Sequence, residues 1–399
     1  MRLDHLADRA CETKYVRVLH VIDTLGGGGG AEHALRLQLP ELARRGIDSH
    51  VVCLRSRGGP LAEWVSNEGT PVTVLDAKSR LDRARQLRSV IKATEPHLVH
   101  ATLFESCLAS RLATPRNVPL LNSLVNTSYV PLRMEASGRA IAAKYRLVRL
   151  VDRLTAGRAD HFHTLTAAVV EEAQQALGIP PGKITVIPRG RSSTAMGERS
   201  KERQDRVRSD LGLSPEDLVV LNVGRQDLQK NQVGLVRSFA EVREQTPNAV
   251  LVIAGREGTS TQEINAQVDA LGLCDAVRLL GYRTDVADLM AAADVFAFPS
   301  LFEGLGSVLV EALALGLPIV ASDVPAIREV LDDGRAGRLV AVQDDAALTE
   351  ALVAILYDGE AREALGTRGN ARFRERFELD KVVDATVELY ERLAGGPGR

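Results

Sequence analysis

The chain has 399 residues, 45% apolar and 26% charged, with a formal net charge of -2 at pH 7. That length exceeds one ordinary core and predicts two domains, each able to bury a substantial interior. The composition is that of a soluble globular protein, and near-neutral charge excludes nucleic acid as the default partner. The four cysteines, Cys11, Cys53, Cys107 and Cys274, are scattered without a Cys-x-x-Cys pair, so neither a zinc site nor a disulfide framework is indicated. They fit a reducing compartment, hence the cytoplasm. The first 23 residues carry scattered charges and no apolar core of signal-peptide type. Glu311 and Pro318 interrupt the longest apolar candidate, so no stretch reaches the roughly 18 apolar residues of a membrane span. A peripheral contact escapes that test.

In chain order, residues 1–14 are polar and read as a frayed lead-in. Val16–Ile22 is a β-branched run that ends in the glycines at 26–30, and residues 31–45 have helical spacing. Strands are predicted at 50–54, 72–75 and 98–101, with an amphipathic helix at 80–93. The segment 133–153 carries six basic residues, among them Arg133, Arg139, Lys144 and Arg146, around Ile141, Tyr145, Val148 and Val151. It fits either a solvated basic helix face or a surface that meets an anionic membrane or acceptor. A strand follows at 183–188, and the polar, charge-rich residues 199–211 resemble a linker.

The domain boundary is therefore placed between about 188 and 216, with domains at 15–195 and 205–378. The second series has strands at 219–223, 250–254, 277–280, 295–298 and 318–321, alternating with helices at 232–245, 261–271, 285–293 and 346–357. Such alternation predicts two doubly wound α/β domains with parallel sheets. Ligands bind such sheets outside the carboxyl ends of their strands, so the cleft between the domains is the expected site. A last periodic segment covers 379–394.

The chemistry concentrates in residues 300–323, SLFEGLGSVLVEALALGLPIVASD. Glu303 lies in a glycine-rich loop, and Glu311 about one turn into the apolar helix that Ser307 is expected to cap. Helix N–H groups beside carboxylates suit a nucleotide-sugar, whose diphosphate wants donors and whose hydroxyls want acceptors. Gly224 and Arg225 directly follow the strand at 219–223, and Lys230 comes five residues after the arginine. Two cations at a strand's carboxyl end can clamp a diphosphate. The glycines at 26–30 offer a close backbone approach to ligand. They lack the Gly-Lys-Ser/Thr of a Walker A loop, and no acidic residue ends the second strand, which disfavours NAD and leaves NADP only weakly. No Asp-x-Asp or His/Cys cluster calls for a metal, and no redox cofactor is expected. His100 ends a strand and fits either a site residue or a hydrogen-bonded interior imidazole. The paired carboxylates admit a hydrolase, but a glutamate inside a helix above a phosphate site fits binding better.

Gly224-Arg225 with Lys230, the Glu303-x7-Glu311 motif, and the early GGAEHAL together resemble the retaining nucleotide-sugar glycosyltransferases of group 1, family 4 type. The resemblance runs from about residue 16 to 393. It implies the GT-B fold: two facing Rossmann-like domains, with the last helix crossing back to the first. It implies a nucleoside diphosphate sugar as donor, UDP- or GDP-linked, and a glycan, lipid-linked or small-molecule acceptor. By position, Arg225 and Lys230 would bind the diphosphate, Glu303 the sugar hydroxyls and Glu311 the ribose. Gly304, Leu305, Gly306 and Ser307 would offer backbone contacts, Gly281, Tyr282 and Arg283 would border the base, and Gly27, Gly28, Gly29 and Gly30 would approach from the acceptor side.

Two departures stand out. Where family members often carry a histidine at the sugar's reacting face, this chain has Val125 or Asn126. The common Pro-Asn-Gly-Val-Asp is replaced by Pro188-Arg189-Gly190-Arg191-Ser192, and the two extra arginines at the cleft edge suggest either an anionic or phosphate-bearing acceptor or a structural role. The reading is a cytoplasmic glycosyltransferase, with a peripheral membrane contact through 133–153 left open. Competing readings are a nucleotide-sugar 2-epimerase and a non-catalytic nucleotide-sugar binding subunit.

Overall fold

The computed structural model describes residues 15–26, 29–56, 58, 61–127, 129 and 139–395, without the side chains of 139–142 and 144. The lead-in at 1–14, the glycines Gly27 and Gly28, and the start of the basic segment at 130–138 lie outside the described residues. Thirteen strands are present among them: β1 (Val16–Ile22), β2 (Ile47–Cys53), β3 (Val72–Val74), β4 (Leu98–Thr102), β5 (Leu120–Leu124), β6 (His161–Thr164), β7 (Ile184–Val186), β8 (Leu218–Val223), β9 (Ala249–Ala254), β10 (Val277–Gly281), β11 (Val295–Phe298), β12 (Ile319–Ser322) and β13 (Arg338–Val340). One sheet has the order β3-β2-β1-β4-β5-β6-β7 and the other β10-β9-β8-β11-β12-β13. The pairings of β1 with β2 and β4, and of β8 with β9 and β11, are parallel. By contacts the chain divides into Met1–Asn122 with Ala385–Arg399, and Ser123–Asp384. The sequence-derived boundary falls inside the second of these units.

Alternation along the strands of the six-stranded sheet explains its two-sided core. Val219, Leu221 and Val223 enter one apolar cluster with Val250, Val252 and Ala254. Val220 enters the other, with Ala249, Leu251 and Ile253. A period of two thus sends alternate side chains to opposite faces, and helices cover both. Phe296 and Phe298 stack with ring centroids 5.8 Å apart and are fully buried, each burial contributing about 1.5–3 kcal/mol.

The first unit packs Ile22, Val51 and Cys53 against Leu39, Leu61 and Val65. The later part of helix Leu379–Ala394 groups with this unit, which is the return of the last helix that the family resemblance implies. Tyr390, 1% exposed, holds it there: its hydroxyl lies 2.6 Å from His100 Nδ1, and its ring packs edge-on against His20 and His100.

One expectation needs correction. The supposed linker at 199–211 contains helix Lys201–Asp210, capped by Ser200. Two of its arginines, Arg203 and Arg208, are partnered rather than solvated. Arg203 Nε lies 2.6 Å from Asp288, and Arg208, 6% exposed, reaches Asp294 at 2.7 Å and the carbonyls of Ala292 and Asp217.

Candidate active site

In the second unit the site begins where β8 ends. Gly224 and Arg225 leave the strand, and the loop is pressed against the end of β9. A Cβ on Gly255 would collide with the Gly224 carbonyl oxygen, and one on Gly258 with Asp227 and the Gln226 carbonyl. Only glycine permits that approach. Arg225 is 67% exposed and its Nε lies 2.5 Å from Asp227 Oδ2. Asp227, two residues on, is a partner the sequence reading missed.

The next turn, Leu228–Lys230, is tied to the loop that follows β11. Gln229 Nε2 donates to the Phe302 carbonyl at 2.8 Å, and Leu301 N donates to the Gln229 carbonyl at 2.8 Å. Lys230 Nζ then sits 2.5 Å from Glu303 Oε1, with side chains 19% and 8% exposed, and 4.9 Å from the centroid of the Phe298 ring. The structure thus brings together the cation and carboxylate that the sequence places 73 residues apart. At this burial the pair attracts strongly and either member alone is costly to leave unpaired.

Helix Ser307–Ala314 follows. Its cap is Gly306 in the left-handed region, φ 75°, with no side-chain cap, so the expected capping by Ser307 is corrected. A residue with a Cβ is strained at that φ, which is why glycine stands there. Ser307 Oγ instead accepts from Arg189 Nη1 at 3.4 Å. Burial and the neighbouring Arg191 push the Arg189 guanidinium down to about 9. Arg191 is not at an open edge, as the acceptor assignment supposed. It is 3% exposed, and its Nε donates to Glu311 Oε1 at 2.7 Å.

The loop carbonyls are held from the segments after β5 and β6. Thr127 Oγ1 donates to the Glu303 carbonyl at 3.2 Å, and Thr166 Oγ1 to the Gly304 carbonyl at 3.0 Å. A Cβ on Gly304 would lie 2.5 Å from the Val125 carbonyl oxygen and 2.8 Å from Asn126 Cα. Backbone of Val125 and Asn126 therefore touches Gly304, at the position where the family histidine is absent. Leu305 is buried in the core beneath. At the end of β10, Tyr282 is 56% exposed with the Arg256 guanidinium stacked 4.4 Å from its ring centroid, and Arg283 pairs with Asp285 at 2.5 Å.

In the first unit, the glycine run opens helix Gly30–Arg44, and Glu32 organises what is described of it. Glu32 accepts from Gly26 N at 3.3 Å, from Gly29 N at 3.1 Å and from the Thr24 hydroxyl. A glutamate three residues past the cap is the capping-box signal, and GGAEHAL carried it unread. His100, a candidate site residue by its place at a strand end, is hydrogen-bonded to Tyr390 in this structure. His163 and His161 are hydrogen-bonded inside the second unit, to Ser123 and Ile187 and to Thr185.

Residues 203–372 match the family model described as Glycosyl transferases group 1, and residues 29–190 match the Glycosyl transferase 4-like domain. A D-inositol 3-phosphate glycosyltransferase of Kineococcus radiotolerans is 30% identical over 92% of this chain and 91% of its own length. The phosphatidyl-myo-inositol mannosyltransferase of Mycobacterium leprae is 38% identical over 44% of this chain and 46% of its own. Among solved structures, Anabaena HepE in complex with UDP and glucose superposes with a TM-score of 0.81 at 21% identity, covering 94% of this chain and 99% of that one. WaaG, a glycosyltransferase involved in lipopolysaccharide biosynthesis, gives 0.74 at 18%, covering 95% and 100%. At those identities the structures establish the fold, and together with the family match and the full-length relative they place this chain among the group 1 glycosyltransferases with the GT-B fold.

Proposed function

We propose that the chain transfers a hexosyl group from a UDP- or GDP-linked donor to an acceptor hydroxyl with retention of anomeric configuration, in glycan, polysaccharide or glycolipid synthesis. The observation that carries this reading is the buried Lys230–Glu303 pair beside the start of helix Ser307–Ala314. Lys230 and Arg225 meet the diphosphate, Glu303 the sugar hydroxyls, and Glu311 the ribose. N–H groups around Gly304, Leu305, Gly306 and Ser307 point where phosphate charge develops. Tyr282 and Arg283 border the base. The C1–diphosphate bond breaks and the C1–acceptor bond forms on the same face, while the acceptor's proton passes to the departing diphosphate oxygen. Positioning and leaving-group stabilisation are what the protein supplies.

Arg189, held beside Ser307, is assigned to a phosphate-bearing acceptor, and Asn126 in the same unit is proposed to face it. The names of relatives support this: one acts on D-inositol 3-phosphate, and another is an alpha-maltose-1-phosphate synthase. A second observation favours a lipid-linked acceptor. On helix Arg139–Ala156, Leu147, Leu150 and Leu154 are 62%, 51% and 75% exposed and share one face. Arg146 and Arg153 are exposed on the same helix, and its acidic Asp152 is turned inward to the Tyr129 hydroxyl at 2.6 Å. Leucines beside arginines suit peripheral contact with an anionic bilayer. Nucleoside diphosphates and their sugars, tested by thermal shift, identify the donor; a donor incubated alone separates transferase from 2-epimerase, since only the epimerase yields a new nucleotide-sugar.

A further inference from the structure

Arg191 stands where the family's Pro-Asn-Gly-Val-Asp carries valine, and the structure gives it an unusual amount of anchoring. Its backbone N donates to the Phe377 carbonyl at 2.9 Å, and Leu379 N donates to its carbonyl at 2.8 Å. Gly190 lets the two segments meet, because a Cβ there would lie 2.8 Å from Leu379 Cα. Next along, Ser193 N and Oγ both donate to Glu378. The guanidinium is fixed from both ends: Nη1 donates to the Gly190 carbonyl at 2.9 Å, and Nε to Glu311 Oε1 at 2.7 Å. The side chains of Arg191 and Glu311 are 4% and 13% exposed.

We infer that Arg191 is a positioning residue for donor recognition: it fixes the Glu311 carboxylate in one orientation, so that the remaining oxygen receives the nucleotide's ribose hydroxyls. This rests on reading Glu311 as the ribose ligand. Oε1 is bound by arginine, while Oε2 has no hydrogen bond recorded among the described residues. A carboxylate with one oxygen unheld is free to rotate, and an arginine clamped through its own main chain stops that. It also explains why this arginine is withdrawn from solvent: its target is inside the unit.

The test uses UDP and GDP, each with its 2′-deoxy and 3′-deoxy counterparts, and reads dissociation constants by calorimetry. Wild-type protein prefers the ribonucleotide by roughly tenfold or more, the scale of a charged hydrogen bond. Glu311→Gln removes most of that preference. Arg191→Met removes it to a similar degree, and Arg191→Lys, which keeps charge but not the fixed fork, restores only part. A purely structural role lowers the thermal midpoint of the Arg191 variants but leaves the ribose-to-deoxyribose ratio at its wild-type value. That ratio, unchanged in Arg191→Lys and in any Arg191→Met that folds, overturns the inference while Glu311→Gln still loses it. If Glu311→Gln also keeps the ratio, the ribose reading of Glu311 is what has failed.

Discussion

Replacing Lys230 by methionine separates stability from catalysis at one side chain. Lys230 Nζ is 2.5 Å from Glu303 Oε1, and the carboxylate side chain is only 8% exposed. Lys230→Met keeps most of the stem that packs over Gly224 and beside Phe298, but leaves the Glu303 carboxylate without its cation in the interior. Breaking a buried pair from one side costs about 3–5 kcal/mol. Chemical unfolding at pH 7 measures that loss. Adding Glu303→Gln removes the stranded charge, so the double variant recovers much of the stability. Turnover behaves differently. Losing a charge-stabilising donor on the leaving diphosphate lowers the rate by roughly 100-fold or more, and the double variant recovers none of it, because the proposed function also gives Glu303 the sugar hydroxyls to hold. Release of nucleoside diphosphate follows turnover. A Lys230→Met protein with near-normal turnover refutes the phosphate clamp. One whose lost stability is not regained in the double variant refutes the buried-pair argument.

Gly304→Ala places a Cβ 2.5 Å from the Val125 carbonyl oxygen, so it costs about 1–3 kcal/mol and weakens donor binding, measured by unfolding and by calorimetry. Acid lowers stability through His20 and His163, each depressed to about 4 by burial. Their folded values lie below the unfolded value near 6.5, so the unfolded chain binds more protons and stability falls as pH drops below that value. Between pH 6.5 and 5 each contributes a loss of about 2 kcal/mol, and His20→Gln shrinks the loss seen in thermal melts. Leu147, Leu150 and Leu154 changed together to serine abolish cosedimentation with phosphatidylglycerol vesicles if this face meets membrane, while nucleotide binding stays unchanged.

Strands were legible wherever a β-branched run is buried on both faces, as in Ala249–Ala254. The glycine-rich loop and the helix after it were legible because their residues are close in sequence: Glu303, Gly304 and Gly306 share one loop before helix Ser307–Ala314. What escaped depends on contacts far along the chain. Helix Lys201–Asp210 looked like a linker because nothing local announces that Asp288 and Asp294 will neutralise its arginines. Arg191 looked like a surface cation because its partner Glu311 is 120 residues away. Gly306 displaced Ser307 as the helix cap because the loop arrives in the left-handed region, which a serine pattern does not reveal. Nothing in the sequence announces that Thr127 and Thr166 bind two loop carbonyls, Thr166 while also capping helix Ala167–Leu177.

The account stands or falls on the donor site of the second unit. Its most direct test is calorimetric titration of wild type, Glu303→Gln and Glu311→Gln with UDP, GDP and their glucose- and mannose-linked forms. The account predicts that wild type binds one nucleotide series and binds its sugar form more tightly than the bare diphosphate. Glu303→Gln loses the increment due to the sugar but keeps the nucleotide, and Glu311→Gln weakens both alike. Wild type that binds no member of either series, or variants whose affinities match wild type throughout, would contradict it.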